Sequence, residues 1–581
     1  MNPSPQQAAG YPVANGTSSF AASSLRQDRR VFCRKINKMK KILNYISRAG
    51  LSDPRPATKG GTPLESCFYS PKAKKTSANP NFFGKPSRSK ERGFTKRLKG
   101  KWPILILILL SFLTRFWHLE SPSQVVFDEV HFGKFVSAYF THKYYFDIHP
   151  PLGKLVIAGF AKIAGFKADF DFSHIGENFD SGSLFGLRFL PALFGSIFVV
   201  LIYFLILSLG GSKKAAFFGS FLVLFDNAFL VESKFILLDI FLMFFGFLSL
   251  YLFIIAKEKE NNSKKQIILY LISAISVALG FSVKWTAFSF LGLIFILIFL
   301  DYLRNFKFKP FLAKGLIFTI VPLFVYLSVF AIHFKLLDQS GPGDAFMSPA
   351  FQKTLKGNSI GANVKPLSFI AKFAELNLQM YTSSANLKAS HPDGSTWYEW
   401  PLGKKPIWYW TQSKDNLKAN IYLIGNPVIW WFVIVSIPVI ILNLSDKRLS
   451  RKTIFWIYIL LLGFFANILP FVFMKRVVFL YHYLISLVFG ILILTLFIDK
   501  DFQIPKEKEE KPYKIKKCSE KGKEIKRRDF FTFPSKGSFF LYFGYLTIVF
   551  LVFILLLPLS YGIFLPEKIN NFYSSFIKFL H

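Results

Sequence analysis

An all-α polytopic membrane protein with about eleven transmembrane helices is the fold class that this sequence predicts, on three observations. Of the 581 residues, 52% are hydrophobic and 18% aromatic, a share that soluble globular domains do not reach. The apolar residues are gathered into runs of roughly 20, the length that crosses a hydrocarbon core of about 30 Å. The cations lie between those runs, where lipid headgroups and membrane orientation draw them.

Taken in order, residues 1–101 form a basic, Pro- and Ser-punctuated segment without the apolar core of a signal peptide. It is expected to be a disordered cytoplasmic tail. Candidate spans follow at 103–119, 186–208, 215–232, 235–256, 267–283, 286–300, 311–335, 426–445, 454–473, 477–498 and 539–561. The expected organisation is therefore a membrane core over 102–335 with an outer loop at 120–185, an extracytoplasmic loop at 336–425 and further membrane core at 426–498. A basic cytoplasmic loop at 499–538 and a last helix with a short outer tail at 539–581 complete it. The stretch Leu152 to Phe166 is short and interrupted by Lys and Gly, which fits an interfacial or re-entrant helix better than a span.

With the tail inside, alternation places Lys213-Lys214, the KEKENNSKK loop from Lys257, Arg304 to Lys314, the DKRLSRK loop from Asp446 and the 499–538 segment on the cytoplasmic face. Each is basic, as the positive-inside bias requires. The formal charge of +38 is thus explained by membrane orientation, and no nucleic-acid partner is implied. Cys33, Cys67 and Cys518 are the three cysteines, all in basic segments and without disulfide or zinc spacing. No metal cluster or cofactor motif is present, and no repeat relates the two halves, as an inverted-repeat transporter would favour.

The outer segments hold the residues that can carry chemistry. FDEVHFGKF (127–135) and YYFDIHPPLGK (144–154) place acids, histidines and cations directly after the first span. Charges of this density beside a bilayer mark a site unless they are paired or hydrated. Asp128 and Glu129 are adjacent, so on a helix they point about 100° apart and cannot both face one reacting atom. One catalytic base is the simpler assignment. If 127–140 is helical, Asp128 shares a face with His131; equally, Asp128 can serve as the helix N-cap. Asp147 and His149 precede a Pro-Pro step suited to a helix start, or to a plain turn. Isolated cations mark the outer ends of later spans: Arg188, Lys234, Lys284 and Lys475-Arg476. They run against the orientation bias, so either a lipid-linked phosphate or headgroup snorkelling holds them there. Lys234 is the expected partner of Asp239 or Glu232, since a charge within an apolar run costs at least about 2.5 kcal/mol if it meets lipid. The Trp- and Tyr-rich HPDGSTWYEWPLGKKPIWYW (391–410) suits an interfacial belt or a sugar-stacking platform.

In this order, FDEVHFGKF, YYFDIHPPLGK, LRFLPALFGS, FDNAFLVESKFILLD, SVKWTA, GDAFMSPAFQKTLKGN, WYEWPL and FLYHYL resemble the motifs of the protein O-mannosyltransferases across most of 103–495. The resemblance implies a GT-C glycosyltransferase fold and the inverting transfer of mannose from polyprenyl (dolichyl) phosphate mannose to Ser or Thr hydroxyls of acceptor polypeptides, on the extracytoplasmic side. It implies that Asp128 is the base, that Glu129 beside it shapes the acceptor site, and that Arg188 and Lys284 contact the donor phosphate. His131, Asp147, His149, Lys234, Arg476 and His482 are further candidates. Homo- or heterodimers occur in the family. The β-trefoil MIR domain of eukaryotic members is missing from the outer segment, which makes this a short form. The plasma membrane is the preferred location, with the endoplasmic reticulum membrane as the alternative. Another lipid-linked-sugar transferase and, in a different class, a transporter are the rival readings. Ionisable residues gathered on one face favour surface chemistry over a transport pathway.

Overall fold

In the computed structural model, the described residues are 102–179, 184–259, 263–387, 390–503 and 530–581, all within the unit Ala57–His581. The tail before 102, the greater part of the 499–538 loop and all three cysteines lie outside the described residues.

Several of the helices start at a short oxygen side chain, and the membrane helices run where the sequence is apolar. The first is α1 (Trp102–Phe116). The segment after it forms α2 (Glu129–Thr141) and α3 (Leu152–Ile163). At 12 residues α3 is about 18 Å long, well short of the hydrocarbon thickness. Next come α4 (Leu184–Ser208), α5 (Lys213–Leu224), α6 (Asn227–Glu232), α7 (Asp239–Lys257), α8 (Lys264–Phe281), α9 (Phe288–Asn305) and α10 (Phe308–Leu336). The 336–425 segment contributes α11 (Phe369–Ala385) and the strands β1 (Ile407–Lys414) and β2 (Leu417–Leu423). The chain then returns to helices α12 (Pro427–Leu442), α13 (Arg451–Ala466), α14 (Leu484–Phe502) and α15 (Lys536–Tyr561), and ends in β3 (Leu565–Pro566) and α16 (Glu567–Leu580). Ser212, Ser263, Ser368, Ser450 and Ser535 each accept a first-turn N–H of the helix that follows.

Each of the eleven predicted spans contains a helix. Among the described residues, eight helical segments are long and apolar enough to cross a membrane, and α1 and α12 are shorter apolar helices. The remaining run, 215–232, is broken into α5 and α6 at Asp226. Fully buried Asp226 caps α6 through Ala228 and Phe229 N–H, and its other oxygen accepts from Asn426 N (3.0 Å) and Trp430 Nε1 (2.7 Å). The carboxylate thus pins the break to the start of α12, and backbone and indole donors replace the cation that a membrane charge would otherwise need.

The structure adds a small sheet to the expected all-α fold. β1 and β2 form an antiparallel hairpin, and β3 pairs with β2 in the order β1-β2-β3. The hairpin turns at Asp415-Asn416, with Asp415 at φ 53°, the left-handed backbone that two-residue hairpin turns use. Tyr573, Ile577 and Leu580 of α16 pack on Ile424, Leu556 and Leu559, which docks the C-terminal helix against the sheet end of α15.

Candidate active site

The two adjacent acids have opposite environments. Phe127 adopts φ 45°, a strained conformation for a bulky residue, held by its N–H to Tyr409 O (3.0 Å) and by its ring stacked on Tyr409 at 4.1 Å. Beyond this turn, the Asp128 main-chain carbonyl accepts from His131 N and Phe132 N, both at 2.9 Å, and opens α2. Its side chain makes no capping bond. The N-cap reading is therefore corrected: Asp128 occupies the cap position with its carboxylate turned away from the free N–H groups, partly accessible.

Glu129 is fully buried and saturated. It accepts from Arg188 Nε (2.8 Å) and Nη2 (2.7 Å), Val126 N (2.9 Å) and Ile236 N (3.0 Å). Arg188 spends its remaining donors on the carbonyls of Pro122 (3.0 Å), Gln124 (3.0 Å) and Leu119 (3.3 Å), and lies over the Phe235 ring. Every guanidinium nitrogen is engaged and the side chain is fully enclosed. In this arrangement no guanidinium nitrogen is left over for the donor-phosphate contact expected at Arg188. The pair is a bidentate clasp joining the 119–129 loop, α4 and the 233–238 turn.

Lys284 stands in extended backbone between α8 and α9 and pairs with Asp239 at 2.6 Å, with its ammonium over the Tyr481 ring. This also corrects the pairing expected for Lys234, which instead donates to Trp117 O (2.7 Å) and His118 O (3.0 Å) just beyond the C-terminal end of α1. Glu232 accepts from Tyr409 OH at 2.9 Å, and its buried Oε2 has no hydrogen-bond partner among the described residues.

The Pro-Pro loop is anchored from both ends. Lys154 pairs with Asp147 and donates to His149 O (2.9 Å), while Leu152 N donates to Ser282 O (3.0 Å) beside the Lys284 segment. These bonds bring His149 within the field of Lys284, Lys154, Arg476 and His482. Burial, reinforced by the Lys284, Lys154 and Arg476 cations, holds the imidazole pKa well below its ordinary value, so His149 is neutral at physiological pH. His482, the histidine of the FLYHYL motif, stacks nearly parallel to the Trp400 ring of WYEWPL. Arg476 is half-buried and makes no hydrogen bond or ion pair among the described residues. Exposed His131 completes the rim.

Asp128 thus feels His131, Lys284, Asp239 and Asp147 together. Burial, aided by the two acids and opposed by the two basic groups, pushes its carboxyl up to about 6. Such a group is ionised at neutral pH, yet is a stronger base than an ordinary carboxylate. Among the residues assembled here, sequence reasoning overlooked Tyr409, Tyr481 and Lys154. For Tyr409 a signal existed: the alternation of IWYWTQSK around Asp415-Asn416 marks a hairpin.

A family described as "Dolichyl-phosphate-mannose-protein mannosyltransferase" matches residues 105–338, and one described as the "C-terminal four TMM region of protein-O-mannosyltransferase" matches residues 369–575. The chain belongs to the protein O-mannosyltransferase family. Protein O-mannosyltransferase 1 of Drosophila melanogaster is 32% identical over 363 residues, 60% of this chain and 40% of that protein. Dolichyl-phosphate-mannose--protein mannosyltransferase 4 of Candida albicans is 37% identical over 281 residues, 46% of this chain and 37% of that protein. This O-mannosyltransferase-family chain therefore matches about two fifths of the length of these curated relatives. Its fold is that of the S. cerevisiae protein O-mannosyltransferase Pmt1-Pmt2 complex bound to the sugar donor, with a TM-score of 0.70 at 21% identity over 80% of this chain and 90% of that chain. The GT-C architecture expected from the motifs is the one observed.

Proposed function

We propose that this chain transfers mannose from polyprenyl (dolichyl) phosphate mannose to Ser or Thr hydroxyls of proteins, on the extracytoplasmic face. The observation that carries the proposal is the contrast between neighbours: Glu129 is locked by four donors, whereas Asp128, one residue away, has a side chain free of partners within the field of Lys284.

A bond forms between the acceptor oxygen and the mannose anomeric carbon as the bond from that carbon to the phosphate oxygen breaks. The hydroxyl proton passes to Asp128, and the electron pair leaves with the polyprenyl phosphate. Single displacement inverts the anomeric centre, turning a β-linked donor into an α-mannoside. The leaving phosphate needs cations more than a general acid. Lys284 and unpaired Arg476 supply them, while neutral His149 adds a hydrogen-bonding group without further charge. Arg188 positions Asp128 through Glu129. A paired subunit, as in the Pmt1-Pmt2 complex, belongs to the same proposal.

Membranes containing the protein, given labelled polyprenyl phosphate mannose and a Ser/Thr-rich peptide, are expected to mannosylate the peptide. Folded protein that transfers a different lipid-linked sugar and not mannose would refute the donor assignment. The pH profile offers a second check. Activity requires ionised Asp128, so kcat/KM should rise through about pH 6 and level off above it. A profile flat from pH 5 to 8 would count against this base.

The two cations should separate in their effects. Arg476→Ala is expected to raise the donor KM by roughly tenfold, since it removes a charge-assisted phosphate contact, with little change in thermal stability because no internal partner is lost. Lys284→Met also frees Asp239 next to Asp128, so it should both weaken donor binding and move the acid limb of the pH profile upward. An unchanged acid limb in Lys284→Met would remove that lysine from the electrostatics of the base.

A further inference from the structure

At the end of α9 remote from Lys284, about 25 Å along the helix, a cleft of about 230 Å³ opens between α8, α9 and α10. Gln266, Asp301, Tyr302, Asn305, Lys307 and Lys314 are among its lining residues. Asp301 pairs with Lys314 at 2.6 Å and with Lys257 at 3.7 Å, and Asn305 Nδ2 donates to its Oδ1 at 3.3 Å. One carboxylate is therefore shared by two ammonium groups. Arg304 adds its charge to the same field. Lys307, at the α9–α10 turn, is exposed and makes no ion pair among the described residues. The cluster carries more positive charge than its single acid neutralises.

A bias in membrane orientation requires only solvated cations on loops, and does not require them to enclose a cleft. The surroundings of this cleft are apolar and open: Ile267 is 44% exposed, Phe299 50%, Phe308 59% and Leu312 46%. A ligand that matches both features has an anionic head for the lysines and hydrocarbon chains for the outer surfaces of α9 and α10. A free phosphate would satisfy only the first.

We infer that the cleft bounded by Asp301, Lys307 and Lys314 binds the phosphate headgroup of an acidic phospholipid at the membrane surface opposite the candidate active site. Lys307 and Lys314 contact the phosphate, Asn305 and Tyr302 offer hydrogen bonds to its oxygens or glycerol, and Asp301 keeps Lys257 and Lys314 in place when the cleft is empty. The acyl chains run along Phe299 and Leu312.

The test uses the full chain in nanodiscs of phosphatidylcholine containing a minor share of phosphatidic acid with a photoreactive acyl chain. Cross-links are mapped by peptide mass spectrometry. Labelling is expected to concentrate between residues 299 and 316, to be competed by unlabelled phosphatidic acid and not by inorganic phosphate, and to fall about 30-fold in Lys307→Gln/Lys314→Gln, at roughly 1 kcal/mol per lysine. Asp301→Asn, which takes away the acid and leaves the cations, should label at least as strongly as wild type. It thereby separates loss of charge from loss of structure. Labelling that persists undiminished in the double variant, or that falls equally on the other basic loops, overturns the site. Competition by inorganic phosphate as effective as by lipid overturns the phospholipid assignment.

Discussion

Asp128→Asn is expected to lower mannosyl transfer between about 100- and 10 000-fold, the range that a positioned general base contributes, while the protein accumulates and solubilises as wild type does. The amide keeps the shape of the carboxylate but cannot take the acceptor proton. Stability should move the other way. Asp128 binds its proton more tightly in the folded chain than an ordinary carboxyl does, with a pKa raised from 3.8 to about 6. Its ionisation therefore opposes folding from about pH 4 upward, and the full cost is present above pH 6. Removing the charge relieves that cost, so the melting temperature of the variant at neutral pH should equal or exceed that of wild type. Transfer at the wild-type rate would remove Asp128 from the mechanism. A strongly lowered melting temperature would instead show that its charge holds the fold.

Arg188→Ala carries the second large effect, and it should register first as instability. The substitution strands Glu129, fully enclosed, without its bidentate partner, and breaking a buried pair from one side costs about 3 to 5 kcal/mol. Three loop carbonyls lose their donor as well. The expected outcome is a steep loss of melting temperature in detergent, with transfer lost in proportion to the folded fraction. Arg188→Lys restores charge but not the fork geometry, so it should recover only part of the stability. A residue that touched the donor phosphate would behave differently: the donor KM would rise in a protein of normal stability. That pattern, found in Arg188→Ala, would return Arg188 to the phosphate.

How much of this was legible beforehand follows from what hydropathy encodes. An apolar run reports that a backbone segment is surrounded by lipid or packed helices, so every expected span holds a helix. It does not report which way a side chain turns. Arg188 reads in sequence as a cation at an outer span end, like Lys284, and only the packing of α4 against the 119–129 loop separates the enclosed one from the other. Lys234 misled for a similar reason: the short α6 and the turn after it carry the lysine away from nearby Glu232 and Asp239 to carbonyls 116 and 117 residues earlier in the chain. Asp128 and Glu129 were separable in principle, since adjacent helical residues diverge, yet which of the two faces inward is decided by Arg188, 59 residues downstream of Glu129. The hairpin was missed because aromatic density in 391–410 reads as a membrane belt and hides strand alternation.

The groups proposed to surround the reacting atoms come from distant stretches of chain: Asp128 follows the first span, Lys284 lies beyond the breaks in the middle of the core, and Arg476 precedes α14. During synthesis these parts leave the ribosome far apart in time. A partly inserted chain already exposes Asp128, but the cations proposed to accept the departing phosphate do not yet face it, and Tyr409, on which Phe127 rests, has still to be made. On the proposed function, activity begins only when assembly of the bundle is nearly finished, and an arrested or truncated intermediate is expected not to spend donor lipid on whatever hydroxyl, or water, happens to be near.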